Sequence, residues 1–211
     1  MIQIDNKFDC CGCTACVSIC SHNAITMIPD SLGFLYPKVN SKLCVNCGLC
    51  EKVCQFHEDY MRYDNFETPN AYQYRLLQNE QLLKSQSGGA FFTIADKFIA
   101  KGGVVYGAAF TKTWKVTHQK ANDDKTLSAL RMSKYVQSDM IGIFKDVKEQ
   151  LKIGIRVLFS GTACQIAGLK SFIPNRLHQN LFCIDIVCHG VPSPKIWADY
   201  ILYLQKTRQS K

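Results

Sequence analysis

The feature that most constrains this chain is a cysteine repeat near its N-terminus. Nine of its 12 cysteines lie within the first 54 residues, and eight of those nine form two runs with the same spacing. Each run reads Cys-x2-Cys-x2-Cys-x3-Cys, and the second run is displaced from the first by 34 residues. Two matching thiol-rich loops indicate a metal-binding unit built from a duplicated element. The members are Cys10, Cys13, Cys16 and Cys20, then Cys44, Cys47, Cys50 and Cys54.

The spacing favours a pair of [4Fe–4S] clusters. A tight loop with a thiolate at every third residue holds three corners of a cubane, while the fourth cysteine lies on the following helical turn and ligates the other cluster. The alternative is structural zinc, which usually takes two separated CxxC pairs rather than four cysteines within eleven residues. We therefore predict one cluster on Cys10, Cys13, Cys16 and Cys54, and another on Cys44, Cys47, Cys50 and Cys20.

The four cysteines outside the repeat receive different interpretations. Cys11 breaks the period and Cys183 alternates inside an apolar run, so both are predicted to be bystanders. Cys164 and Cys188 each come just after a predicted strand, where ligand sites of α/β sheets collect. Two thiols alone do not complete a four-ligand cluster.

Composition and charge narrow the class of protein. Hydrophobic residues make up 47% and charged residues 20% of the chain, which is typical of a globular fold. The N-terminus does not resemble a secretory signal, and no run of about 20 apolar residues is present for a membrane span. We therefore expect a cytoplasmic protein whose thiols bind metal.

The formal charge of +8 is unevenly distributed. Residues 1–58 carry a net charge of −1 and the remainder carries +9, which would attract anionic ligands. The lysines are scattered and no nucleic-acid motif is present, so we predict no nucleic-acid partner. The expected partner is a redox protein or a small-molecule electron donor or acceptor, and the sequence leaves the oligomeric state open.

Beyond a predicted linker at 59–70, the pattern alternates between helices and strands. We predict a helix over about 90–100, a buried strand at 104–110, an edge strand at 114–121 and an amphipathic helix capped by Ser138. A strand at 156–161, a helix at 162–172 and a strand at 181–188 indicate a βαβ unit, followed by a helix at 194–204.

Seven sequence blocks, taken in order, give a more specific indication. They are CCGCTACVSIC, LGFLYP, CVNCGLCEKVC, SQSGGAFFTIADKFIAKGGVVYGAAF, MSKYVQSD, FSGTACQIAGLK and DIVCHGVPSP. Together they resemble the coenzyme F420 hydrogenase/dehydrogenase beta-subunit family over essentially the whole chain. The resemblance implies an iron–sulfur flavoprotein oxidoreductase that binds FAD and passes electrons between its clusters and an unidentified, deazaflavin-like substrate.

The implied fold is α+β: a two-cluster bacterial-type ferredoxin domain at 1–58, followed by an incomplete α/β flavin-binding domain at 71–211. The resemblance places flavin contacts on three segments, and it leaves the catalytic residue unknown. It also implies a third cluster on Cys164 and Cys188 that needs a downstream CxxC which this sequence does not contain, so the chain resembles a truncated member. The alternative is a ferredoxin-type electron-transfer module without flavin chemistry. The implied flavin contacts are Ser87, Gly88, Gly89, Ser133, Lys134, Tyr135, Gly161 and Thr162.

Overall fold

The N-terminal region consists of two cysteine loops joined by a β-hairpin. The computed structural model describes residues 1–58, 60 and 68–209. Helix α1 (Ala15–Ile19) follows the first loop, strands β1 (Ile25–Pro29) and β2 (Leu35–Val39) pair antiparallel, and α2 (Leu49–Lys52) follows the second loop. A short 3-10 turn over Lys7–Asp9 precedes the first loop.

The duplication seen in the sequence extends to the backbone. Gly12 and Thr14 of the first loop have φ of +67° each, and the residues 34 positions later, Asn46 and Gly48, have φ of +53° and +74°. Left-handed residues at matching positions make both loops turn in the same way before their helices begin. The two cysteine loops are therefore repeats in backbone conformation as well as in sequence.

The second region is a sheet covered by helices on both faces. It contains ten helices and strands among the described residues, in chain order α3 (Asn79–Leu83), α4 (Ala90–Ala100), β3 (Val104–Phe110), β4 (Val116–Ala121), α5 (Asp124–Leu130), α6 (Ile143–Lys152), β5 (Val157–Thr162), α7 (Ala163–Phe172), β6 (Leu181–Ile186) and α8 (Pro194–Gln209). Short 3-10 turns occupy Ser87–Gly89 and Asn175–Asn180.

The sheet confirms the predicted βαβ unit. Its strand order is β4-β3-β5-β6; β3, β5 and β6 run parallel, and β4 is an antiparallel edge strand. The helix predicted at 90–100 and the strand predicted at 104–110 occur at those positions. Strand β4 begins at Val116 rather than at 114, because Trp114 has a φ of +62° and belongs to the turn from β3.

The prediction that Ser138 caps an amphipathic helix is wrong. Helix α6 begins at Ile143, and its N-cap is Gly142, whose φ is +81°. Ser138 is buried instead, and its hydroxyl lies 2.8 Å from Nδ1 of His118 and accepts a hydrogen bond from Nε2 of Gln165 at 3.0 Å. A buried imidazole and a buried amide need polar partners, so this serine satisfies the interior rather than a helix end.

Two apolar cores lie on opposite faces of the sheet. On one face, Ala95, Leu127 and Leu130 of α4 and α5 pack against the strands. On the other face, α6 and α7 pack against Tyr106 and Phe159, and this second core also contains Ala15 and Val53 of the cysteine-rich region. The cysteine-rich region is thus docked on the face of the sheet that α6 and α7 cover.

Most of the predicted linker at 59–70, namely residues 59 and 61–67, lies outside the described residues.

Within the described part of the chain, no helix combines the length and the hydrophobicity that crossing a bilayer requires.

His118 makes the stability of the sheet region sensitive to pH. Its ring is 4% exposed, stacks on Phe159 with centroids 5.1 Å apart, and contacts the carbonyl oxygen of Ser160 at 3.0 Å. Because that oxygen can only accept, Nε2 carries the proton of the neutral ring and Nδ1 accepts from Ser138. Burial lowers the pKa of His118 from 6.5 to about 4.

We expect stability to be full above pH 6.5 and to fall as the pH drops toward 4, because the unfolded chain then binds a proton that the folded chain excludes. From pH 7.5 to pH 5.5 the loss from this group is about 1 kcal/mol. Thermal unfolding of the wild type and His118→Gln at both pH values checks it. Equal pH dependence in the two proteins would contradict this role.

Candidate metal centres

Two hollows in the N-terminal region are lined by the cysteines of the repeat. One, of about 350 Å³, is lined by Cys10, Cys13, Cys16 and Cys54 of the repeat and also by Cys11. The other, of about 380 Å³, is lined by Cys20, Cys44, Cys47 and Cys50. Each hollow takes three cysteines from one run and the fourth from the other, which is the grouping that the spacing predicts.

Helices α1 and α2 explain why the fourth cysteine of each run lines the hollow of the other run. Cys20 is the C-cap of α1 and Cys54 comes two residues after α2 ends. One helical turn therefore separates each of them from the third cysteine of its own run, and that turn carries the side chain toward the other hollow. The hairpin between the runs closes both hollows, with Met27 and Pro37 lining one, and Ile25 and Val39 lining the other.

Backbone amides point at the cysteine sulfurs. The N–H of Ile2 donates to Sγ of Cys50 and the N–H of Ala24 donates to Sγ of Cys20, each at 3.3 Å. Such hydrogen bonds favour the charged thiolate and tune the potential of a bound cluster. An anionic sulfur is stabilised by such N–H donors, whereas a neutral thiol has little need of them.

Burial acts in the opposite direction on the same thiols. It raises the pKa values of Cys10, Cys16 and Cys54 above the ordinary thiol value of 9.0. A bound cation would supply the positive charge that favours the thiolate form of these residues. An apolar hollow lined by partly buried thiols fits iron–sulfur ligation on this ground.

The part of the chain that the structure describes contains no preformed site for a single metal ion. Among the described residues, no three or more His, Cys, Asp or Glu side chains converge on a point that could hold one metal ion. Zinc thiolates lie about 2.3 Å from a shared ion, so four of them crowd together. The thiols of each hollow surround a space instead, as ligands of a multi-iron group do.

The site and its fold define a ferredoxin-type domain, a class that carries electrons on iron–sulfur clusters. Residues 9–57 match the family model described as a 4Fe-4S dicluster domain. This match covers the cysteine repeat and leaves the second region outside it. No curated protein matches the chain.

Two of the three segments expected to contact flavin lie close together. The side chain of Gln86, next to the Ser87–Gly89 turn, accepts a hydrogen bond at 2.7 Å from the backbone N–H of Ser133. Lys134 donates to the carbonyl oxygens of Ala129 and Arg131, and burial lowers its pKa to about 8. Tyr135 is 74% exposed.

The glycines of the Ser87–Gly89 turn have a structural purpose of their own. A Cβ on Gly88 would collide with the carbonyl oxygen of Tyr74, because the chain at Tyr74–Leu76 crosses directly over this turn. The N–H of Leu76 also donates to the carbonyl oxygen of Gly88 at 2.8 Å. A close approach of backbone to backbone therefore accounts for Gly88 without a ligand.

The third segment lies in a different environment. Thr162 ends β5 and caps α7; its N–H donates to Oε1 of Gln165 at 3.0 Å, and its hydroxyl lies 3.2 Å from Sγ of Cys164. A Cβ on Gly161 would clash with the Phe159 ring and the Gln165 side chain. The side chains that contact Thr162 belong to Cys164 and Gln165 on α7, which packs against the cysteine-rich region.

That Cys11 is a bystander to the clusters stays a prediction, although Cys11 lines the first hollow beside Cys10 and Cys13. Nε2 of Gln55 donates to its sulfur at 3.1 Å and to the carbonyl oxygen of Cys164 at 2.7 Å, which brings Cys11 near the first turn of α7. The hydrogen bond with Cys11, together with one to Thr162, lowers the pKa of Cys164 to about 6. Nothing in the repeat signals this contact, because Cys164 reaches it only through the packing of α7.

The last two cysteines lie on β6 and beyond it. Cys183 packs at the margin of the core under α7, and burial raises its pKa to about 11. Cys188 is exposed in the loop after β6, where its sulfur accepts the N–H of Gly190 at 3.3 Å. The assignment of Cys164 and Cys188 to a third cluster stays a prediction.

Gly168 allows the first cysteine loop to seat on α7. A Cβ at this position would lie 2.7 Å from Sγ and 3.0 Å from Cβ of Cys13. We expect Gly168→Ala to cost about 1–3 kcal/mol by overpacking, and to lower iron retention in the adjoining hollow. Thermal unfolding and iron content after reconstitution measure both effects.

Gly107→Ala is the matched control, since a Cβ there makes ordinary contacts of 3.5 Å with Leu130 and neither glycine has a positive φ. If Gly168→Ala retained wild-type stability and iron, the close seating of Cys13 would not matter.

Proposed function

We propose that this protein is an iron–sulfur oxidoreductase that holds two [4Fe–4S] clusters on the eight cysteines of its repeat and FAD on its second region. When bound, the clusters supply one-electron transfer and the flavin joins it to two-electron chemistry. The substrate class we propose is a deazaflavin-like acceptor or donor. The observation that carries the iron–sulfur part is the pair of hollows, each lined by three cysteines of one run and one of the other.

The residues around the first hollow perform two tasks. Ile2, Ile4 and Met27 line it with apolar surface and keep water from the thiols. In a less polar medium, hydrogen bonds and charges act more strongly on the ligand sulfurs. Backbone amides then set the balance between the oxidised and reduced charge states.

Hydrogen bonds between the cysteine-rich region and the second region fix the position of the first hollow relative to the sheet, and with it the distance that an electron would cross between them. The hydroxyl of Thr14 donates to the carbonyl oxygen of Met140 at 3.2 Å, and Nε2 of Gln137 donates to the carbonyl oxygen of Cys11 at 3.0 Å. Gln55 donates from the second run to the carbonyl oxygen of Cys164 at 2.7 Å. These bonds join residues more than 100 positions apart and fix the first hollow against the end of β5.

The flavin part of the proposal rests on the sequence blocks and on charge. Residues 59–211 carry +9, and an anionic dinucleotide favours a basic surface. Gln86 and Ser133 bring two of the expected flavin segments together. The residues we assign to flavin are Ser87, Gly88, Gly89, Ser133, Lys134, Tyr135, Gly161 and Thr162.

A second candidate is a ferredoxin-type electron-transfer module without flavin chemistry. Two observations favour it: the family match covers residues 9–57 alone, and the crossing of Tyr74 accounts for Gly88 without a ligand. In this case the second region acts as a docking platform for a redox partner.

The exchange of fourth ligands can be tested by pairing variants. We expect Cys54→Ser to alter the same cluster as Cys13→Ser, and Cys20→Ser to alter the same cluster as Cys47→Ser. The reconstituted wild type should hold about eight irons per chain. Electron paramagnetic resonance of the reduced proteins distinguishes the two signals.

Cys183→Ser is the control, because this thiol lies on β6 and outside both hollows. Full iron and both signals are expected there. If Cys54→Ser shared its altered signal with Cys47→Ser instead, each run would hold its own cluster and the proposed grouping would fail.

Flavin binding separates the two candidate functions. We expect the cluster-loaded chain to bind FAD, and Lys134→Ala to weaken binding about tenfold through loss of one charged donor. Equilibrium dialysis, with flavin fluorescence read after denaturation, measures both. Lys145→Ala, on the exposed side of α6, should bind FAD like the wild type. An iron-loaded chain that binds no FAD would leave the electron-transfer module as the function.

A further inference from the structure

The second hollow, lined by Cys20, Cys44, Cys47 and Cys50, reaches the protein surface. Among the eight cysteines of the repeat, all of them described, Cys47 alone is exposed. Three apolar side chains of the same loop are also exposed, by 42% to 58%. The first hollow is covered on one side by α7, where Gly168 admits Cys13. We call the exposed apolar side chains around Cys47 the Cys47 patch; they are Leu43, Val45 and Leu49.

The Cys47 patch has the make-up of the centre of a protein interface. Several exposed apolar side chains on one loop mark an interaction surface, whereas single ones do not. The centre of such a surface is apolar and its rim is polar. Val45 and Leu49 also line the second hollow, so a protein seated on the patch would lie next to the thiols. An electron carrier is the kind of protein that uses this position.

Positive charge surrounds the patch. Lys42 precedes Leu43, and Lys52 lies one helical turn after Leu49 on α2; both lysines are exposed. They form no ion pair within the part of the chain that the structure describes.

The second run carries little negative charge to offset these lysines. Residues 38–54 contain three lysines and a single acid, Glu51, which is ion-paired with the N-terminal ammonium of Met1 at 3.2 Å. A bound cluster with four thiolates adds about −2, so the surroundings of Cys47 keep a positive balance.

The other acids of the cysteine-rich region lie elsewhere. Asp5 and Asp9 each adjoin a residue that lines the first hollow, and Glu58 follows that lining closely. Asp30 is ion-paired with Lys7 at 2.7 Å. The two signs of charge are therefore segregated, with the positive one beside the Cys47 patch.

We propose that the Cys47 patch docks an acidic electron-carrier protein. The apolar surface of the carrier covers the patch, and its carboxylates face Lys42 and Lys52. One electron passes in each encounter, so the carrier is oxidised by one electron as this protein is reduced by one, or the reverse. The inference rests on the proposed cluster in the second hollow. It assigns the second hollow to a partner and leaves the first, held against α7, to the second region.

Two probes of opposite charge test the docking surface. The cluster-loaded full chain is titrated in a calorimeter with an oxidised flavodoxin of acidic surface, and separately with cytochrome c, a basic electron carrier. We expect cytochrome c to bind about tenfold or more weakly than flavodoxin, because like charges oppose docking. Lys42→Glu combined with Lys52→Glu should weaken flavodoxin binding about tenfold at about 50 mM salt, and much less at about 0.5 M salt, which screens surface charges.

Two further variants make the test specific. Lys97→Glu combined with Lys145→Glu changes the net charge equally, on exposed residues of α4 and α6, and should bind flavodoxin like the wild type. Leu43 lies in the patch but does not line the hollow. Leu43→Gln should weaken binding about fivefold at both salt concentrations, because apolar burial is not screened by salt.

Four results would overturn the proposal. They are no binding of flavodoxin, tighter binding of cytochrome c, equal loss of affinity in the two double variants, and self-association of the wild type that Leu43→Gln removes. Sedimentation equilibrium measures the last, which would assign the patch to a second copy of this chain. Iron content and visible absorption are recorded for every variant. Because docking is read as heat and cluster loading as iron, a failed docking surface is distinguishable from failed iron ligands.

Discussion

The N-terminal region depends on one geometric requirement: four thiols drawn from both runs must surround each of two spaces. The region has little else to hold it, since its own apolar core is centred on Ile2, Ile25 and Cys50. Regions of this size commonly depend on metal for stability, and partial burial raises the pKa of Cys10 and Cys16, a cost to the thiolates that a bound cation would offset. The hairpin and the two short helices are the minimum that brings the runs face to face.

Docking on the sheet is the second support. Ala15 and Val53 are buried in the core that α6 and α7 share with the strands, and Gly168 lets Cys13 approach α7 closely. The cysteine-rich region is therefore attached through its first hollow, while the cysteines of the second hollow include the exposed Cys47. Of the two hollows, the docked one lies nearer to α7, and the other is better placed to meet a partner from solution.

Sequence reasoning succeeded where a local pattern determines the outcome. The spacing of the runs predicted which cysteines share a hollow, and hydrophobic periodicity predicted α4, β3 and the βαβ unit. It failed where tertiary packing decides. A serine such as Ser138 often caps a helix, but in this structure its hydroxyl is buried and hydrogen-bonded to His118 and Gln165. The bridge that Gln55 makes between Cys11 and Cys164, and the crossing over Gly88, depend on segments distant in sequence and leave no local trace.

The exchange of fourth ligands has a consequence for biosynthesis. A ribosome makes Cys10, Cys13 and Cys16 early, but their hollow acquires its fourth thiol only when Cys54 has been made. The other hollow, which includes Cys20, waits for Cys50. Both sites thus become complete within four residues of each other, so neither full set of ligands exists before the second run has been made. A nascent chain halted between the two runs would contain the cysteines of the first run but no complete set of four ligands.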